Sequence, residues 1–118
     1  HYVSHWITPL GVARRFDTRF FVARAPEGQE PLHDDSETIA SLWVSPEDAL
    51  GRQHSGDLAM MPPTIRNLEF LLPYATTDDA LLAAKKIGTP TAIIPQLKVD
   101  AEGRVVGIAL PGDTDYKN

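Results

Sequence analysis

An α+β fold, with a mixed sheet, packed helices and a C-terminal β-hairpin, is predicted from three features of this chain. Residues alternate with a period of two over Tyr2–Thr8 and Arg14–Ala25, as half-buried strands require, and Glu37–Val44 is strand-like with both faces largely apolar. Two stretches carry apolar residues at helical spacing, Ile65-Leu68-Leu71-Leu72 and Ala80-Leu81-Ala84-Ile87. Ten prolines and eight glycines then break the chain into short elements and turns rather than a helical bundle. At 118 residues, a single domain with a modest core is expected over residues 1–118, with 89–112 as a hairpin extension.

The first strand is Tyr2–Thr8, where Val3, His5 and Ile7 alternate with Tyr2, Ser4, Trp6 and Thr8 until Pro9 and Gly11 end it. His1 and His5 share a face but sit four residues apart, too far along a strand to hold one metal ion. His5 therefore reads as a packed or rim residue, and Trp6 and Trp43 as core or rim aromatics. Arg14–Ala25 is the second strand and the stretch around which the rest is placed. Phe16, Thr18, Phe20 and Val22 make its core face; Arg15, Asp17, Arg19, Phe21 and Ala23 make the other. Four arginines and one acid between Gly11 and Ala25 leave it positive inside a chain of net charge −5. A planar guanidinium fork suits phosphate or carboxylate. On periodicity alone, an exposed ion-pair ladder of small energetic weight is the plainer account.

An acidic loop follows, with Glu27, Glu30, Asp34, Asp35 and Glu37 beside His33, and its composition is that of a solvated loop. Glu37–Val44 alternates with apolar residues on both faces, so a central strand is expected. Ser45-Pro46-Glu47-Asp48 then opens a short helix, with Ser45 as N-cap, Pro46 at its first position and two acids at the positive end of the dipole. Gly56 ends it. Pro62-Pro63-Thr64 leads a second helix that stops at Pro73, and Thr76 or Thr77 starts a third that stops at Gly88. Ala92–Val99 and Arg104–Leu110 make the hairpin around Asp100-Ala101-Glu102-Gly103, with Pro95 marking an edge or bulge. Asp115–Asn118 is expected to fray.

Composition narrows the function classes. Net acidity argues against a general nucleic-acid binder. No apolar run approaches the roughly 20 residues of a membrane span, and the first residues show no signal-peptide pattern. Cysteine is absent, which excludes disulfides and thiolate metal sites and agrees with a cytoplasmic protein. No phosphate-cradling glycine loop occurs, and Ser4, His5 and Asp17 lack the nucleophile-elbow context of a hydrolase triad.

Trp6-Ile7-Thr8-Pro9, then Arg15-Phe16-Asp17-Thr18-Arg19-Phe20-Phe21, then Trp43 with Ser45-Pro46-Glu47-Asp48-Ala49-Leu50, together resemble the C-terminal portion of a Nudix hydrolase. The CoA-diphosphatase-like branch is the nearest, and Pro62-Pro63-Thr64 before a leucine-rich helix also fits it. The resemblance covers about residues 5–72. It implies a partial Nudix-type mixed sheet and a pyrophosphohydrolase acting on a nucleoside diphosphate linked to another, CoA-like moiety. The family's metal-binding box places Arg-Glu and Glu-Glu on one helix; neither dipeptide occurs in this chain.

The resemblance also implies roles. Arg15 and Arg19 would clamp phosphate, Thr8 and Asp17 would be polar groups of the cleft, and one acid of the 27–37 loop would bind metal or activate water. Glu37, at the mouth of the next strand, is the candidate for that catalytic and metal role, with Asp34 and Asp35 as alternatives. Mg²⁺ or Mn²⁺ is expected in the complete enzyme, with none held by this chain by itself. The partners expected are a small-molecule nucleoside-diphosphate derivative and a missing N-terminal Nudix half. A second expectation, from a different class, is a non-catalytic α+β interaction module that pairs with itself or another chain through exposed sheet edges.

Overall fold

The computed structural model describes residues 1–28 and 43–117. Within it the chain divides into two compact units, His1–Val22 with Ala84–Asn118, and Ala23–Ala83.

The first unit is built on strand β1, Tyr2–Ile7, which lies between β2, Asp17–Phe21, and the short β3, Ala92–Ile93. β1 pairs antiparallel with β2 and parallel with β3, so this small sheet is mixed, as expected. The alternation expected for β1 is interrupted. Tyr2 faces Phe21 and Ser4 faces Phe20, which leaves Val3 as an extra residue in a bulge. Burial follows the bulge: Val3 and Trp6 are the buried residues of β1, with Trp6 only 4% exposed.

β2 is shorter than the predicted Arg14–Ala25 and stands at an edge of the sheet among the described residues. Its expected core face is only partly covered, since Phe20 and Val22 are half-buried while Phe16 and Thr18 are exposed. On the other face Phe21 stacks on Tyr2 with ring centroids 5.3 Å apart, an aromatic cross-strand pair.

Ala92–Val99 does not run as one strand. Pro95, which has no N–H to give a ladder, splits it into β3, which joins β1, and β4, Gln96–Val99. β4 pairs antiparallel with β5, Val105–Ala109, as a separate two-stranded sheet. The turn is fixed by Asp100, whose Oδ1 accepts from the N–H of Glu102 at 3.0 Å and of Arg104 at 2.8 Å. Gly103 takes φ +82° there, where a side chain would strain the backbone. The tail does not fray as expected. Lys98 Nζ lies 2.7 Å from Asp115, the Tyr116 hydroxyl donates to the Ile94 carbonyl, and Gln96 bonds both backbone groups of Lys117.

The second unit holds helix α1, Pro46–Ser55, and helix α2, Pro62–Leu71, which pack on each other. The local signals were sufficient for α1. Ser45 Oγ accepts from Asp48 N at 3.1 Å, and Gly56 closes the helix at φ +91°. Helix α3, Thr77–Ile87, is capped by Thr76, whose Oγ1 accepts from Asp79 N at 3.1 Å. It buries Ala80 and Ala84 and leaves Leu81 half-buried, but Ile87, expected in the stripe, is exposed in the last turn. Leu72, at the end of α2, is likewise exposed. Of the expected strand Glu37–Val44, residues 37–42 lie outside the described residues; Trp43 and Val44 form no strand, and Trp43 is exposed. Among the described residues no helix is long and apolar enough to cross a membrane.

Candidate functional site

Four of the residues singled out from the sequence meet where β1 turns into β2. The turn is closed on both backbone and side chain. Thr8 N donates to the Phe16 carbonyl at 2.9 Å, and Phe16 N donates to Thr8 Oγ1 at 2.9 Å. Thr8 is thus a structural clasp of this hairpin as well as a polar group at its open end. Inside the loop Gly11 has φ +97°, and a Cβ there would stand 3.2 Å from Leu97 of β4, so the backbone approaches β4 closely.

The clasp positions Arg15, whose Nε donates to the Thr8 carbonyl at 3.1 Å. Its side chain is exposed and forms no ion pair among the described residues. Arg15 precedes β2, whereas Asp17 and Arg19 lie within it and share one strand face, as the period of two requires. Arg19 Nη1 reaches Asp17 Oδ1 at 3.5 Å, the outer limit of a hydrogen bond, and both side chains are more than half exposed. Two guanidiniums against one carboxylate make this face locally positive.

The fifth member was not anticipated. His5 pairs with Arg19 in the strand register, and its Nε2 stands 2.5 Å from Asp17 Oδ1. The ring is only 14% exposed, against 52% for the Asp17 side chain. His5 is therefore more than the packed or rim residue expected from sequence. Its alternation with Ile7 put it on the correct face. The signal that would have paired it with Asp17, twelve residues on, was the hairpin register around Pro9 and Gly11.

This donor set does not fit a hard divalent cation. Asp17 is the one carboxylate between Tyr2 and Ala25, and its Oδ1 is already shared by His5 and Arg19. Among the described residues no three His, Asp or Glu side chains cluster as metal ligands would. Glu37, expected as the metal and catalytic acid, and its alternatives Asp34 and Asp35 lie outside the described residues.

Known proteins bear on the same stretch. Human acyl-coenzyme A diphosphatase NUDT19 is 29% identical over 120 aligned residues, which cover 98% of this chain and 32% of the human protein. The Gallus gallus protein of that name is 33% identical, over 64% of this chain and 21% of its own length. The Xenopus laevis protein is 32% identical with the same two coverages. This chain is related to the Nudix acyl-coenzyme A diphosphatases. It spans about a third of the human relative's length, so it corresponds to a portion of such a protein. No protein-family model matches the chain, and no solved structure matches it significantly. The relation agrees with the resemblance drawn from the Trp6–Pro9 and Arg15–Phe21 motifs, and those motifs are the residues that build the hairpin face.

Proposed function

We propose that this chain is the C-terminal part of a Nudix-type pyrophosphohydrolase acting on a nucleoside diphosphate linked to a CoA-like moiety. In this reading residues 1–118 form one partial domain with 89–112 as a C-terminal extension, and the hairpin face is the wall that meets the diphosphate. The observation that carries it is the exposed face of Arg15, Asp17 and Arg19, held by the Thr8 clasp, in a chain related to acyl-coenzyme A diphosphatases.

A diphosphate concentrates negative charge, and two guanidiniums four residues apart, Arg15 just before β2 and Arg19 within it, stand no more than about 13 Å apart at the backbone, close enough for flexible arms to converge on it. Thr8 and Asp17 would contribute polar contacts at its edge. Mg²⁺ or Mn²⁺ would supply charge neutralisation in the complete enzyme, held by the box in the missing N-terminal half together with Glu37. In this reading most ligands of that ion come from the other half, so this chain by itself is inactive.

Two measurements test the reading. The purified 118-residue chain, given CoA and millimolar Mg²⁺, should form no phosphomonoester products of diphosphate cleavage above a no-enzyme control; clear formation of that pair of products would overturn the claim of inactivity. Coding sequence upstream of His1 should encode Arg-Glu and Glu-Glu at helical spacing, and an upstream region without them would remove the enzyme reading. A second reading rests on β2, an edge strand among the described residues with Phe16 and Phe21 exposed beside it. Such an edge suits a non-catalytic module that pairs with itself or another chain. A light-scattering mass at the 13.0 kDa of the single chain would remove self-pairing.

A further inference from the structure

The geometry points to His5 as a positioning residue for the anion-facing arginines, acting through Asp17; this rests on the diphosphate-wall reading of that face given above. An aspartate between two arginines is a competitor as well as a neighbour. Unrestrained, its carboxylate would swing onto a guanidinium, satisfy the fork bidentately and occupy the donors a phosphate needs. The structure shows a different arrangement. Asp17 Oδ1 is drawn to His5 Nε2 at 2.5 Å, while its contact to Arg19 Nη1 stays at 3.5 Å.

The difference in burial gives this arrangement its direction. His5 is largely covered and projects from β1, the middle strand, so its ring is the fixed partner. Asp17 is half exposed on the edge strand and is the group that moves. An ionised carboxylate only accepts, so the short contact requires a proton on His5 Nε2. Arg15 is restrained from the opposite end, by its Nε bond to the Thr8 carbonyl. One arginine is thus anchored at its Nε and the other is relieved of its local competitor. Both are then pre-organised for an incoming anion, which lowers the ordering cost of binding.

The inference separates from a merely structural role through coupling. Removing His5 matters only while Asp17 is there to turn on Arg19. The test titrates inorganic pyrophosphate into the 118-residue chain and follows backbone and arginine side-chain resonances. His5→Leu should weaken pyrophosphate about threefold, the scale of one exposed ion pair. His5→Gln, whose amide can still donate to Asp17, should restore most of the loss. In an Asp17→Asn background His5→Leu should change nothing. Ring nitrogen shifts of the unmodified chain should place the neutral-state proton on Nε2, which keeps the inference testable if His5→Leu fails to fold.

Unchanged affinity in a folded His5→Leu chain would overturn the inference, as would an equal loss in the Asp17→Asn background or a proton on Nδ1. If Arg15→Ala and Arg19→Ala weaken pyrophosphate but His5→Leu does not, the His5 inference alone falls. If neither arginine matters, or the unmodified chain binds no pyrophosphate, the diphosphate-wall reading falls and takes this one with it.

Discussion

The β4–β5 hairpin and the β1–β2 hairpin belong to the same unit, and both place charged side chains at their turns, yet those side chains are used differently. In β4–β5 the polar groups are spent on nearby backbone or on each other. Asp100 accepts from two N–H groups of its own turn, Gln96 bonds both backbone groups of Lys117, and Lys98 pairs with Asp115. In β1–β2 Thr8 closes the turn, Arg15 commits only its Nε to the backbone, and Arg15 and Arg19 are exposed with donors to spare. The same residue types can stabilise a turn or present a surface. The difference lies in whether local backbone groups are near enough to consume their hydrogen-bonding capacity.

The contrast predicts that the two hairpins break in different ways. The largest effect is expected in β4–β5. Asp100→Ala strips an acceptor from two backbone donors, so it should cost about 2 kcal/mol of stability while leaving pyrophosphate affinity unchanged. Parallel urea melts and pyrophosphate titrations would check both halves of that statement.

Arg19→Ala should do the opposite. The side chain is exposed, so stability should stay within about 0.5 kcal/mol. Loss of a charge-assisted contact to phosphate should weaken pyrophosphate about tenfold, equivalent to ~1.4 kcal/mol. Arg19→Lys should recover only part, because an ammonium cannot reproduce the fork. Unaltered affinity in both Arg15→Ala and Arg19→Ala would return this face to an ion-pair ladder. Thr8→Val lies between the two behaviours. It removes the side-chain part of the clasp, so a loss of about 1 kcal/mol in a thermal or urea melt is expected, with only a slight fall in affinity because the Thr8 carbonyl that holds Arg15 remains.

Such differences also mark how much could be read from the chain beforehand. Features decided within a few residues were legible. Ser45 and Gly56 bound α1 as expected, Thr76 caps α3, and Gly103 sits in its turn with positive φ. Features decided by pairing were not. Val3 becomes a bulge because of how β1 meets β2, and nothing local in Tyr2-Val3-Ser4 announces it. Pro95 signalled an interruption, but only tertiary pairing sends β3 to one sheet and β4 to another. Arg15, Asp17 and Arg19 were placed on one face by their spacing alone. Their neighbour His5 needed the register of the hairpin. Asp115–Lys117 carried the composition of a frayed tail and is tied down by Gln96 and Lys98, which lie far away in sequence.

The smallest effect expected is the pH response of the Lys98–Asp115 pair, and its sign follows from the two shifts. The hydrogen bond between them, reinforced by charge attraction, lowers the Asp115 carboxyl below its ordinary 3.8 and raises the Lys98 ammonium above its ordinary 10.5. A lowered acid contributes stability that is present above its unfolded value and lost as pH falls through the folded one. A raised base contributes stability that is present below its unfolded value and lost as pH rises through the folded one. The pair should therefore support β4 across the whole neutral range and fail at both extremes. Because both groups are solvent-exposed, the contribution should be slight and should fade with added salt. Asp115→Asn ought to flatten the acid limb of the stability curve, and Lys98→Met the alkaline limb, with each single change removing most of what the double change removes. Urea midpoints measured from pH 3 to pH 11 at low and high salt would show this. An Asp115→Asn chain whose acid limb matches the unmodified one would mean that the Gln96 and Tyr116 hydrogen bonds hold the tail without the ion pair.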